Sequence, residues 1–204
     1  MVANRRFLLL SSVLLGHIPV GLSLWRNQND CSDPCVLGTE EIMKQKEHGT
    51  SNTPVQKNLR WGCDIETADR ICNFNRKWAE FSGYWKTTSF LKEVKDLKDD
   101  QQITFYDSNT GKPLFHAPRG RTWKEWIKES TNHGWPSFRD NEVNWDLVRV
   151  LPDGETVSVD GTHLGHNLPD RNGNRYCINL VSIAGRYSGS EKEEGKRKLF
   201  GNLL

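Results

Sequence analysis

The stretch Asp160-Gly-Thr-His163-Leu-Gly-His166-Asn-Leu-Pro-Asp170-Arg-Asn-Gly-Asn-Arg175-Tyr-Cys177-Ile-Asn179, running on to Ala184, decides how this chain is read. Gly161, Gly165, Pro169 and Gly173 punctuate it, which predicts short strands joined by turns rather than a helix. Over residues 175–183 the β-formers Tyr176, Ile178, Leu180 and Val181 predict a strand. Cys177 sits on that strand, facing a loop that carries His163 and His166. A nearby cation lowers a thiol pKa from about 8.5, so this grouping points to an activated thiol. Two other readings stand beside it. A cysteine on an apolar strand is commonly a small buried hydrophobe. Alternatively His163, His166, Asp170 and Cys177 form a zinc site, since zinc accepts imidazole, carboxylate and thiolate together. Against zinc, the four residues span a Gly-rich loop with no recognised ligand spacing.

Further motifs lie upstream: Lys112-Pro113-Leu114-Phe115 and Gly134-Trp135-Pro136-Ser137-Phe138. Taken in order with His163-Leu-Gly-His166, Pro169-Asp170 and Arg175-Tyr176-Cys177-Ile178-Asn179, they resemble the B-type peptide-methionine (R)-S-oxide reductases. The resemblance covers roughly residues 100 to 185, about one small domain. It implies a small, mainly antiparallel β domain, that of methionine sulfoxide reductase B, preceded here by a helical extension. It also implies Cys177 as nucleophile, with Arg175 favouring the thiolate and Asn179 two residues along on the same strand face. One of His163 and His166 protonates the sulfoxide oxygen while the other positions substrate or water, a task suited to a pKa near about 6.5. Trp135 walls the methyl pocket, Phe138 shapes that wall, and Asp170 completes the substrate-binding set. No organic cofactor is implied. The partners implied are an oxidised peptide or protein and a thioredoxin-like reductant.

The chain departs from the family in two ways. Many members hold a structural zinc with two Cys-x-x-Cys pairs, and the corresponding positions here are Asp107, Thr110, Val157 and Asp160. The expectation is therefore no metal. The usual resolving cysteine before Gly-Trp-Pro-Ser-Phe is replaced by His133, leaving Cys72 and then Cys63 as candidates. A structural Cys63–Cys72 disulfide is the competing expectation. A non-catalytic binding module that keeps the fold is the rival function.

Around this domain the composition is less specific. A net charge of +2 over 204 residues gives no electrostatic argument for nucleic acid or a membrane surface. Arg5 and Arg6, the apolar run of residues 7–15, and small residues leading to a cut after Ser23 read as a signal peptide over residues 1–23. The run is too short for a membrane span, which needs about 20 apolar residues. A secretory or extracellular destination is expected, with an organelle lumen as the alternative. Five cysteines leave one thiol over after pairing. Residues 24–62 read as a polar, weakly ordered arm, whose Cys31 and Cys35 form a local disulfide or stay as unpaired thiols rather than a catalytic pair. Residues 63–99 read as a helical extension: Ile71, Phe74, Trp78 and Phe81 fall on one face of a helix over 65–81, and a second short helix follows within 89–100. In the β domain, Ile103 to Tyr106 form a strand, Trp123 to Ser130 a helix, and residues 145–159 a hairpin. Residues 187–204 read as a charged tail.

Overall fold

The computed structural model describes residues 31–189; the expected leader, the start of the arm and most of the charged tail lie outside them. The architecture is mainly antiparallel β. Strands β1 (Ile103–Tyr106) and β2 (Pro113–Ala117) form a two-stranded sheet. Strands β3 (Ser137–Phe138), β4 (Val148–Val150), β5 (Glu155–Ser158), β6 (His163–Asn167) and β7 (Tyr176–Ile178) form a second sheet in the order β3-β7-β6-β5-β4, antiparallel throughout. Among the described residues, four α-helices accompany them: α1 (Ile65–Asp69), α2 (Tyr84–Thr87), α3 (Phe90–Val94) and α4 (Trp123–His133).

The sheets and α4 enclose an aromatic core. Trp85, Phe90, Phe105, Trp126 and Phe138 are all fully buried, and their rings meet mostly edge to face or tilted. Each such side chain contributes roughly 1.5–3 kcal/mol of burial. Helix α4 delivers Trp126 to this core. It starts on a Thr122–Glu125 capping box and stops at Gly134, whose φ of 90° is left-handed. That stop sets Trp135 and the short strand β3 beside the site.

Expectations about the arm and the extension change. The helix expected over 65–81 is short: α1 widens into a π turn over Arg70–Phe74 and ends there. The extra residue in the turn rotates the face, so Ile71 and Cys72 point inward while Phe74, Trp78 and Phe81 are 58%, 56% and 62% exposed. The arm is folded from residue 31 onward, because Val55, Leu59 and Trp61 are buried in the core and Arg60 donates its backbone N–H to Ala184. The predicted second short helix is present as α3, after the additional turn of α2.

Among the cysteines, Cys31 and Cys35 form the local disulfide, whereas Cys63 and Cys72 are both free, so the competing Cys63–Cys72 disulfide is not formed. Among the described residues no helix is long and apolar enough to cross a membrane.

Candidate active site

The strand pair β6–β7 builds the site. His166 is the direct cross-strand partner of Cys177, and Ser137 of β3 flanks Cys177 on its other side. The two imidazoles therefore lie on a strand, not on the loop expected for them. In a regular strand residues three apart point to opposite faces. Here β6 carries a bulge: Thr156 pairs with Gly165 and Val157 with His163, leaving Leu164 as the extra residue. A bulge resets the alternation, and both histidines reach one side, with ring centres 5.6 Å apart. The carbonyl of Leu164 accepts from the Asn179 backbone N–H and side-chain amide at 2.8 and 3.1 Å. Gly165 is required by contact: a Cβ there would stand 2.0 Å from the Cys177 carbonyl oxygen.

Strand β7 ends at Ile178, five residues before the predicted strand does. The next residues turn into a 3-10 helix over Leu180–Ser182 because the Glu80 carboxylate accepts the Leu180 N–H at 2.5 Å. The turn leaves Asn179 beside Cys177 at the site.

A cavity of about 270 Å³ opens over these residues, lined by Trp135, His163, Gly165, His166, Leu168, Cys177 and Asn179, with Lys77, Trp78 and Ala79 completing the wall. Trp135 is pinned by its indole N–H, which donates to the Glu80 backbone carbonyl at 3.0 Å. His163 is buried, and its Nδ1 lies 2.6 Å from Glu155 Oε1. Glu155 is in turn held by Arg76, which also pairs with Glu40. Burial opposes charge on Glu155, but the bonds from His163 and Arg76 hold its carboxyl below the usual carboxylate range. His166 is lowered, first by burial and then by charge on His163. The Glu155 carboxylate thus lies against one imidazole of the pair, and its charge opposes part of the lowering of the other.

Cys177 departs from the expected activation. Burial pushes its thiol up; the Arg175 guanidinium pulls it back down without cancelling that rise. The resting group is a thiol. Arg175 is itself buried, with Nε 3.6 Å from Asp170 Oδ2.

Not every expected site residue reaches the cavity. Asp170 lies outside its lining, where Arg139 donates to both carboxylate oxygens at 3.2 and 2.8 Å. Its route to the site runs through Arg175. Phe138 is buried in the core, stacked on Phe115 with centres 4.4 Å apart, behind the wall rather than in it. Cys63 and Cys72 do not line the cavity. Burial pushes the Cys63 thiol up to about 12. It raises the Cys72 thiol too, despite the Ser182 hydroxyl 3.5 Å away.

Two metal readings meet the donor sets differently. Asp170 is tied to Arg139, so His163, His166, Asp170 and Cys177 are not gathered as ligands. Among the described residues the cluster with metal-ligand spacing is Glu129, His133 and Asp170, and both its carboxylates are occupied by Arg139. The four positions where the family's zinc cysteines would fall do not fit that ion. Asp107 is fully buried and accepts from Thr162 Oγ1 at 2.9 Å and from the Asn109 N–H. Asp160 takes Lys112 at 2.9 Å, and Val157 offers no donor atom.

Sequence reasoning missed Glu155, Arg76, Glu80 and the wall formed by residues 77–79. Glu155 read as one more residue of a hairpin, and Trp78 as the apolar face of a helix. Nothing local in the sequence marked either as part of a site.

With this geometry in view, comparison with known proteins gives one informative likeness. The chain is 39% identical to the peptide methionine sulfoxide reductase MsrB of Methanosarcina mazei, over 35% of this chain and 56% of that protein. It thus spans little more than half the length of the relative it matches. No family model matches the chain. No solved structure matches it either. The matched stretch and the site together make this chain similar to methionine sulfoxide reductases of the MsrB kind.

Proposed function

We propose that the chain reduces the R epimer of peptide-bound methionine sulfoxide to methionine, repairing a common oxidative lesion. The observation that carries this is the register of Cys177 opposite His166, in a cavity walled by Trp135 and backed by the His163–Glu155 pair. The apolar indole suits the substrate's methyl group, and the imidazole pair suits its polar S–O group.

The chemistry follows from the protonation states. The resting Cys177 thiol gives up its proton to a facing imidazole as its sulfur attacks the sulfoxide sulfur. The imidazoles, backed by the Glu155 carboxylate on His163, pass that proton to the departing oxygen. Methionine leaves as the thioether and the oxygen remains on Cys177 as a sulfenic acid. Arg175 steadies the thiolate during attack, and Asp170 holds Arg175. Reduction needs two thiol equivalents: the first forms a disulfide with Cys177 and releases water, and the second exchanges to free the thiol. A thioredoxin-like dithiol supplies them, directly or through Cys63 or Cys72 after local opening. No organic cofactor takes part. The leader read from residues 1–23 directs this repair to the secretory route or an organelle lumen.

The test is one stoichiometric turnover on a peptide carrying R-configured methionine sulfoxide, with Cys177→Ser beside the natural chain. A hydroxyl is a far weaker nucleophile at neutral pH, so product is expected from the natural chain and none from the variant. A thiol held protonated by burial favours the rival binding module. In that case the natural chain would bind the peptide and yield no methionine.

A further inference from the structure

Trp78 is the largest side chain of the extension to reach the cavity, and it is unlike the other walls. It is 56% exposed, and Leu168 on the same lining is 46% exposed, whereas His163 and Asn179 are buried. Trp78 and Leu168 therefore form an apolar rim that continues outward from the reacting groups. A half-exposed indole on the lip of the cavity offers apolar area that a substrate side chain can cover.

The rim is also fixed in place. Before Trp78, Arg76 is bound to Glu155, which in turn carries His163. After it, Glu80 accepts the indole N–H of Trp135 on its backbone oxygen and the Leu180 N–H on its carboxylate. The turn is closed by the Trp78 N–H donating to the Asn75 carbonyl at 3.1 Å, and the Arg70 guanidinium lies 5.5 Å from the indole centre. A surface aromatic of no consequence needs none of these anchors on its neighbours. A specificity wall needs all of them, because preorganised contacts avoid the ordering cost at binding.

We infer that Trp78, with Leu168, is a specificity-determining residue that grips an apolar side chain adjacent to the oxidised methionine. The preferred substrate would be methionine sulfoxide in an extended segment rich in aliphatic or aromatic residues, such as an unfolded core sequence presents. This rests on the reductase reading above and deepens it.

The experiment compares two acetylated pentapeptides with R-methionine sulfoxide at the centre, one flanked by Leu and Phe and one by glycines. The natural chain, Trp78→Ala and Trp78→Phe are assayed with dithiothreitol as reductant. In Trp78→Ala the KM for the Leu/Phe peptide should rise about tenfold, the scale of losing part of an apolar pocket contact. The ratio of kcat/KM between the Leu/Phe and glycine peptides should fall with it by about the same factor, and Trp78→Phe should recover most of the loss. Equal changes for both peptides, or a fall in kcat alone, would overturn the inference, because a merely structural role affects every substrate alike. If the natural chain turns over neither peptide, the reductase reading fails instead. Calorimetric titration of the same peptides then decides the rim separately: weaker binding of the Leu/Phe peptide to Trp78→Ala upholds it, and unchanged binding refutes it.

Discussion

Strands β6 and β7 and the irregular segment 76–80 line one cavity and are built by different means. The strands place Cys177, His166 and His163 through backbone pairing, so their spacing is set by register and by one bulge. The segment belongs to no regular element, and its positions are set by side-chain bonds to its neighbours: Arg76 to Glu155 on β5, and Glu80 to Leu180 just past β7. Reacting atoms need tolerances of a few tenths of an ångström, which paired strands supply. A wall that selects among flanking side chains tolerates more variation and can be furnished by an added segment. The difference suggests that chemistry and selectivity are separable here, and the predictions probe that separation.

The largest expected effect falls on the link from the segment that also carries His163. Glu155→Gln keeps the shape but removes the charge that partly offsets the lowering of His166, so His166 holds a proton less readily. The rate of sulfoxide reduction should drop about 100-fold, the usual worth of a general acid. The loss should shrink as pH falls and His166 regains a proton. A rate profile from pH 5 to 9 checks this, and a loss equal at every pH would place Glu155 in folding rather than proton supply.

Arg175→Met tests the strand side alone. Burial raises the Cys177 thiol and Arg175 opposes that rise, so removing the guanidinium must move the thiol further up. Alkylation of Cys177 by iodoacetamide, which reports thiolate, should become several-fold slower near neutrality, and its pH midpoint should move upward. An unmoved midpoint would show that Arg175 acts on substrate alone.

A smaller effect is expected where the two sheets meet. Thr162→Val strips one hydroxyl donor from the buried Asp107 carboxyl and should cost about 1–3 kcal/mol in urea unfolding. Lys112→Met breaks the half-exposed pair with Asp160 and should cost about 1 kcal/mol or less. Equal costs would mean that this corner does not depend on its buried bond.

What the sequence made legible follows the same division. The strand residues were readable because glycines, β-formers and the His-x-x-His and Arg-Tyr-Cys strings are local patterns. The bulge at Leu164 was not, since a spacing of three in a strand by itself argues for opposite faces. The apolar spacing of Phe74, Trp78 and Phe81 suggested a buried helix face, but the π turn at Arg70–Phe74 rotated that face into solvent. Glu155 and Glu80 act through partners 8 and 100 residues away. No window of sequence contains both ends of the second contact. The net rise of the Cys177 thiol was hidden as well, because burial is a property of the whole fold.

The smallest expected effect concerns the remaining free thiols. Cys63 and Cys72 lie outside the cavity lining, and burial holds both as thiols, which attack a sulfenic acid poorly. Cys72 is the deeper of the two, fully buried against Ser182, whereas Cys63 follows a 3-10 turn and keeps slight exposure. That reverses the order expected from sequence, which put Cys72 first. For either to resolve Cys177 the extension must open, and the anchors at Arg76 and Glu80 oppose that opening. With an outside dithiol present, the double variant Cys63→Ser, Cys72→Ser should therefore keep its turnover rate within about twofold. After one turnover with excess sulfoxide and no reductant, peptide mapping should find Cys177 trapped by a sulfenic-acid reagent and Cys63 and Cys72 reduced. A Cys63–Cys177 disulfide would show instead that the segment carrying Trp78 swings during each cycle, making selectivity and recycling parts of one motion.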